Sequence, residues 1–290
     1  MKRILVIGSN GFIGRKICET LYENKLDVFE SNIGHRENTS EGTSINLFNE
    51  ESYTHVLKKF KPEVVISTAW NANIDYLNSP ENYTYFKAHI ELFKKSYEYG
   101  VDKIVGFGTS NEYGIDNFNC HESISVCEPT NKYGYYKHRT LMQLDKISKE
   151  YNKKYIWVRP FQVYGLGEKS HRLLPSLMES LKSLSSMSIS NPNRILDWIH
   201  VDDVVNAIRN LMLESEMTGI FDIGTSIGHS VQETVKEFIK ISGIENDKIK
   251  FKNTAAEATG LVCADNIKLF DLGWKPKYDL QSGLRSLFKS

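Results

Sequence analysis

Ile4-Leu5-Val6-Ile7-Gly8-Ser9-Asn10-Gly11-Phe12-Ile13-Gly14 is the stretch that decides the fold. A short apolar run rich in β-branched residues reads as a buried strand over residues 2–7, and Ile13, Ile17 and Leu21 then recur at helical spacing. Three glycines therefore stand where a strand turns into a helix. Gly8 permits the tight turn, Gly11 lets the backbone approach a pyrophosphate, and Gly14 lets the helix lie close on the sheet. The helix N-terminus offers unpaired N–H groups to an anion. A glycine trio alone is weak evidence; its position between strand and helix makes it a dinucleotide-binding signal.

Outward from this turn the alternation continues. A second strand is expected at 28–32, a helical face at Tyr53, Val56, Leu57 and Phe60 ends before Pro62, and Val64-Val65-Ile66-Ser67 follows as a strand. Phe86, Ile90, Phe93 and Tyr97 mark another helix, then come a strand at 103–107, a helix over 133–151 and a strand at 155–158. Strands alternating with helices of this length predict an α/β fold, a Rossmann-type doubly wound parallel sheet. After Pro160 the rhythm loosens, and the polar stretch 183–193 reads as a loop. A helix at 203–213, a strand at 219–223 and a Ser230/Glu233 capping box follow. The expected organisation is a dinucleotide-binding domain over 1–165 and a smaller substrate-binding lobe over 166–290, with 196–223 returning to the sheet.

Composition narrows the partners. The chain has 290 residues, 36 basic against 36 acidic, 40% hydrophobic and 25% charged. That is an ordinary globular balance, without the positive field that nucleic acid binding uses. The glycines interrupt the first apolar run, and no stretch approaches the ~20 apolar residues of a membrane helix, so a cytoplasmic protein away from membranes is expected. Four scattered cysteines form no CxxC pair, and Cys120, His121 and Cys127 fit no familiar metal spacing, so no metal is expected.

Two further motifs carry chemistry. In Tyr133-Gly-Tyr-Tyr-Lys137, residues one helical turn apart place a phenol and an ammonium on one face. A cation within about 4–6 Å lowers a phenol pKa from ~10 by ~1–3 units, which makes it usable as an acid or base. Tyr135 and Tyr136 have no lysine four residues on. At the carboxyl end of the 103–107 strand, where ligands bind in this architecture, Thr109 or Ser110 can offer a hydroxyl.

GSNGFIG (8–14), TSNEYG (109–114), EPTNKYGYYK (128–137), RPFQVYGLG (159–167), LDWIHVDD (196–203), FDIGTS (221–226) and DLGWKPKYDLQSGL (271–284) occur in one order along nearly the whole chain. Together they resemble the extended branch of the short-chain dehydrogenase/reductase family, the NAD-dependent epimerase/dehydratase group acting mostly on nucleotide-sugars. The resemblance implies that Tyr133 is the acid/base, that Lys137 holds the nicotinamide ribose and lowers the phenol pKa, and that Thr109 hydrogen-bonds the reacting oxygen. It implies a cofactor site of Gly8, Asn10, Gly11, Phe12, Ile13, Gly14, Asn32, Arg36, Asn46, Leu47, Thr68 and Ala69 with Tyr133 and Lys137. It also implies a homodimer through the helices at 82–99 and 133–151.

Departures from the family's pattern narrow the reaction. Ser110 and Asn111 replace an Asp-Glu pair that performs elimination in its dehydratases, which argues against a 4,6-dehydratase. Ser31 and Asn32, with His35 and Arg36 beyond, stand where NAD-selective members carry an acid, so NADP(H) is favoured over NAD(H); Glu30 is the residue that could still act as that acid. Leu196 replaces a diphosphate-binding arginine, and a second is absent from 253–264. Ser110, Asn111, Gln162, Arg172 and Arg194 are the expected substrate residues, with Lys169 as a further cation. Asp202 and Asp203 read as carboxylates favoured by a helix dipole, and His200 as a packed residue. The expected activity is NADPH-dependent reduction of a nucleotide-linked 4-keto-6-deoxy sugar. The alternatives are an NAD-dependent nucleotide-sugar 4-epimerase and a non-catalytic dinucleotide sensor, the latter disfavoured by an intact Tyr133 and Lys137.

Overall fold

The computed structural model describes residues 2–31, 45–114, 120–214, 216–252 and 261–288. In chain order the elements are β1 (Arg3–Ile7), α1 (Phe12–Glu23), β2 (Asp27–Ser31), α2 (Glu50–Phe60), β3 (Val64–Ser67), α3 (Glu81–Glu98), β4 (Lys103–Phe107), α4 (Lys132–Glu150) and β5 (Lys154–Pro160). They continue as β6 (Gln162–Tyr164), α5 (Leu173–Ser183), β7 (Met187–Ser190), β8 (Ile195–His200), α6 (Val201–Leu213) and β9 (Gly219–Ile223). The chain closes with β10 (Gly228–Ser230), α7 (Val231–Ser242), β11 (Ile249–Lys252), β12 (Leu261–Val262), α8 (Ile267–Asp271) and α9 (Leu280–Ser286). Short 3-10 turns cover Tyr76–Asn78 and Ser110–Glu112.

Among the described residues, six strands form one sheet in the order β2-β1-β3-β4-β5-β9. Neighbours from β2 to β5 pair parallel, with Ile7 opposite both Ser31 and Ser67. Parallel strands covered by helices on both faces must be apolar throughout. Ile4, Leu5, Val6 and Ile7 are each 0% exposed, and β3 and β4 are buried along their whole length. Full burial of an aliphatic side chain is worth about 1.5–3 kcal/mol, so these strands anchor the layer. Leu92 and Phe93 of α3 and Leu141, Leu144 and Ile147 of α4 pack on the same core.

The chain divides into two compact units. The first comprises residues 1–112, 127–159 and 205–221, and the second 113–126, 160–204 and 222–290. The second has its own core of Tyr164, Leu177, Trp198, Val235, Phe238 and Leu284. The polar stretch 183–193 is not all loop, because β7 lies within it and pairs parallel with β11, burying Ile189 alone of its four residues. α7 begins with the expected capping box, Glu233 N donating to Ser230 Oγ at 3.1 Å and Ser230 N to Glu233 Oε2 at 2.8 Å.

α6 begins at Val201, so Asp202 and Asp203 lie in its first turn. Asp203 has a larger part than dipole complementarity: it is 3% exposed and accepts the Lys277 and Tyr278 N–H groups at 2.8 and 3.0 Å. His200 is packed, its ring centred 4.1 Å from that of Tyr278. No helix among the described residues is long and apolar enough to cross a membrane.

Candidate active site

The strand order turns back between β1 and β3, the point where an open α/β sheet leaves a crevice beyond its carboxyl ends. The glycine turn lies there. Gly8 has φ +87°, and Thr68, just after β3, donates through Oγ1 to Gly8 O at 3.0 Å and Ile7 O at 3.2 Å. A Cβ on Gly14 would stand 2.2 Å from Gly8 O, so α1 lies against this turn only because Gly14 has none. The α1 N-cap is Gly11, with no side-chain cap and no acid in the first turn, leaving its positive end to an anion. Asn10 and Gly11 are exposed, and Phe12 and Ile13 are half-buried.

These residues fit the pyrophosphate of a dinucleotide. Gly14→Ala is expected to weaken binding of a nicotinamide dinucleotide by at least about tenfold, roughly 1.4 kcal/mol; isothermal calorimetry measures it, and unchanged affinity would contradict the fit.

Around the rest of the expected cofactor set, Ala69 is buried, and Asn46 is exposed with Oδ1 accepting Phe48 N at 2.9 Å. Leu47 packs into the core at 1% exposure, which leaves its backbone as the part able to meet a ligand. β2 ends at Ser31, itself fully buried. Glu30 lies toward α1: after burial, its carboxylate is the main influence pushing the Cys18 thiol and the Tyr22 phenol up. Asn32 and Arg36 lie outside the described residues.

Tyr133 and Lys137 sit in the first turns of α4, whose N-cap Asn131 accepts Gly134 N at 2.9 Å. A Cβ on Gly134 would lie 2.3 Å from Asn111 O, so a glycine between the tyrosines lets α4 approach the 110–112 turn. Lys137 is 3% exposed and donates from Nζ to Phe107 O at 2.6 Å, which brings it to the carboxyl end of β4, two residues before Thr109. Its Nζ lies 5.7 Å from the Tyr133 ring centre and 4.1 Å from that of Trp70. The Tyr133 ring meets Tyr76 edge-on at 4.9 Å. Thr109 Oγ1 accepts Asn111 Nδ2 at 3.1 Å and Asn111 N at 3.3 Å, and Asn131 Nδ2 donates to Asn111 Oδ1 at 3.2 Å. Because Thr109 is the acceptor in both contacts, its hydroxyl proton is used in neither.

Below this surface lies a charged group that sequence reading passed over. Glu112 is fully buried; Oε1 accepts Thr109 N and Trp157 Nε1, both at 3.0 Å, and Oε2 accepts Arg159 Nε at 2.9 Å. Burial opposes its charge, but Arg159, His138 and Trp157 together hold the carboxyl below its ordinary range. Arg159 also donates through Nη2 to Cys127 Sγ at 3.3 Å. His138 Nδ1 lies 3.6 Å from Glu112 Oε2, an ion-pair separation rather than a hydrogen bond. Cys127 first, then Glu112, push its imidazole up to about 9. Glu112, Cys127 and His138 bring donor atoms within 4.8 Å of one another, and the Arg159 guanidinium paired with Glu112 supplies the positive charge of this cluster in place of a metal ion. Arg159, directly after the apolar run Tyr155 to Val158 in β5, was the available signal, since a charge in a buried strand requires a partner.

Ser110 and Asn111 thus stand with Thr109, whereas Gln162, Arg172 and Arg194 belong to the second unit. There Arg172 Nε donates to Glu168 Oε1 at 3.2 Å, and burial, opposed by that arginine, pushes Glu168 up to about 7. Arg194 follows a turn closed by its N–H on Asn191 O at 3.1 Å.

Residues 4–224 match the family model described as the NAD dependent epimerase/dehydratase family. The chain is 29% identical to a Methanocaldococcus jannaschii protein named "Putative UDP-glucose 4-epimerase", over 97% of this chain and 96% of that one. It is 25% identical to the dTDP-4-dehydro-6-deoxyglucose reductase of Escherichia coli, over 99% and 96%. The crystal structure of UDP-glucose 4-epimerase from Thermotoga maritima with UDP-glucose superposes with a TM-score of 0.86 at 26% identity, covering 99% of this chain and 97% of that one.

Proposed function

Because the chain belongs to the NAD-dependent epimerase/dehydratase family, we propose that it reduces the keto group of a nucleotide-linked 4-keto-6-deoxy sugar with NADPH. The observation that carries this reading is the use made of Asn111. A residue that would have to be a carboxylic acid for elimination is an amide, spent on Thr109 and Asn131. What remains is a phenol, an ammonium and a hydroxyl, a set suited to carbonyl reduction. The place of Glu30 beside Cys18 and Tyr22 of α1 supports NADPH, since a ribose 2′-hydroxyl would have to compete with them for it.

The reduced nicotinamide, when bound, supplies a hydride to the carbonyl carbon. Tyr133 gives its phenolic proton to the oxygen that becomes the alcohol. Lys137 stabilises the phenolate left behind, and Thr109 donates its hydroxyl proton toward the same oxygen. Gln162, Arg172 and Arg194 are proposed to meet the nucleotide-sugar; Arg172 does so while paired with Glu168.

Nucleotide-sugar 4-epimerisation is the second reading, favoured by the relative at 29% identity and by the superposed epimerase structure. Mixing the protein with NADPH or NADH and a panel of nucleotide-linked keto sugars tests both. Loss of reduced-nicotinamide absorbance with NADPH and a 4-keto-6-deoxy substrate is the expected result. Turnover with NADH alone, or interconversion of unreduced sugars without added cofactor, would replace it.

A further inference from the structure

Lys137 poses a physical question that proton transfer does not answer. A buried ammonium sheds its proton unless neighbouring groups favour the charge. The Phe107 carbonyl takes one of its N–H groups. Glu112, in the turn after β4, is the carboxylate that favours the charge, but its oxygens are already engaged by Thr109 N, Trp157 and Arg159. On α3, His89 is buried, and burial followed by Lys137 pushes it down to about 3, so it stands neutral beside the lysine. Tyr133, on α4, presents its ring. A further neighbour is Trp70, whose ring centre is 4.1 Å from Nζ.

Trp70, half-buried, is itself held by several neighbours. Its Nε1 donates to Asn82 Oδ1 at 2.7 Å, and its ring stacks on Tyr85 with centroids 5.6 Å apart and 27° between planes. His89 lies against it at 5.1 Å, fixed by contacts of 2.8 Å from Nδ1 to Tyr85 O and 3.0 Å from Nε2 to Ser67 Oγ. The indole edge also meets the Tyr133 ring at 6.3 Å.

We propose that Trp70 is a positioning residue: the face of its indole, with the Phe107 carbonyl, forms the seat that keeps the Lys137 ammonium in place beside Tyr133. Tryptophan presents the strongest aromatic face to a cation, and the attraction grows where water is excluded. Burial, with Glu112 opposing it, already draws Lys137 down to about 7. Removing the ring removes a group that favours the charged form, so the proton is lost at still lower pH. The catalytic consequence rests on the proposed role of Lys137; the seat itself does not.

The test therefore reads Lys137 directly, without substrate. Protein labelled with [ε-13C]lysine is titrated by NMR, the Lys137 signal being assigned by its absence in Lys137→Met. Trp70→Leu is expected to lower the midpoint by about one pH unit, and Trp70→Phe by about half as much. Both variants lose the hydrogen bond to Asn82, so a role confined to that bond would shift both equally. An unchanged midpoint in Trp70→Leu, or equal shifts in the two variants, overturns the proposal. Should Trp70→Leu fail to fold, Trp70→Phe is compared with Asn82→Ala, which removes the same hydrogen bond and keeps the indole: a midpoint lowered more in Trp70→Phe supports the seat, and equal or absent lowering overturns it. If the proposed reaction is wrong, turnover of keto sugars is missing from the wild type too, while these midpoints are unaffected.

Discussion

Replacing Tyr133 by Phe is expected to lower kcat for keto-sugar reduction by about a thousandfold, within the range a positioned general acid supplies. Affinity for the dinucleotide should stay within about threefold of wild type, since the glycine turn and the α1 N-terminus that fit its pyrophosphate are untouched. The substitution removes one oxygen and keeps the ring that Tyr76 and Trp70 flank. Steady-state kinetics with calorimetric binding separates the two effects. A Tyr133→Phe variant retaining a tenth or more of wild-type kcat would refute the assignment, because the neighbouring Tyr135 and Tyr136 lack a lysine one turn on.

The largest effect on stability is expected at Glu112. Glu112→Gln keeps the shape of the side chain but removes the charge that pairs with the Arg159 guanidinium, which is 1% exposed. Breaking a buried pair in this way costs about 3–5 kcal/mol, a large part of the roughly 5–15 kcal/mol that holds a domain together. Urea unfolding measures the loss, and a change below about 1 kcal/mol would contradict it.

The pH dependence adds a second signature. The folded pKa of His138, about 9, lies above the unfolded value near 6.5, so its contribution is fully present below pH ~6.5 and is lost as pH rises through 9. Glu112 supplies part of that shift after Cys127, so the decline should be shallower in Glu112→Gln. An equal slope in wild type and variant would remove Glu112 from the account.

What the sequence revealed and what it withheld have a common physical cause. The glycine turn, β4 and the Tyr133–Lys137 pair were legible because each is written within one helical turn or one strand, where spacing alone sets the geometry. β7 was not: Met187-Ser188-Ile189-Ser190 is too polar to announce a strand, and it exists by pairing with Ile249–Lys252 far along the chain. The Glu112–Arg159 pair spans 47 residues, and no local pattern joins its members. Trp70 belongs to none of the motifs, and it meets Lys137 of α4 only because folding lays the lysine over its ring. Asp203 matched a helix start, but its task of holding Lys277 and Tyr278 depends on a segment 74 residues away. Local motifs thus name the groups proposed to react, while the contacts that surround them are set by tertiary structure.

In the proposed reaction, hydride from NADPH and a proton from Tyr133 together turn a keto sugar into an alcohol. Incubation with NADPH carrying deuterium at the transferable C4 position, followed by mass spectrometry of the sugar, tests it most directly. One deuterium in each product molecule, with one NADP+ formed per sugar, is expected; a product free of deuterium, or formed with no NADP+ released, would rule the reaction out.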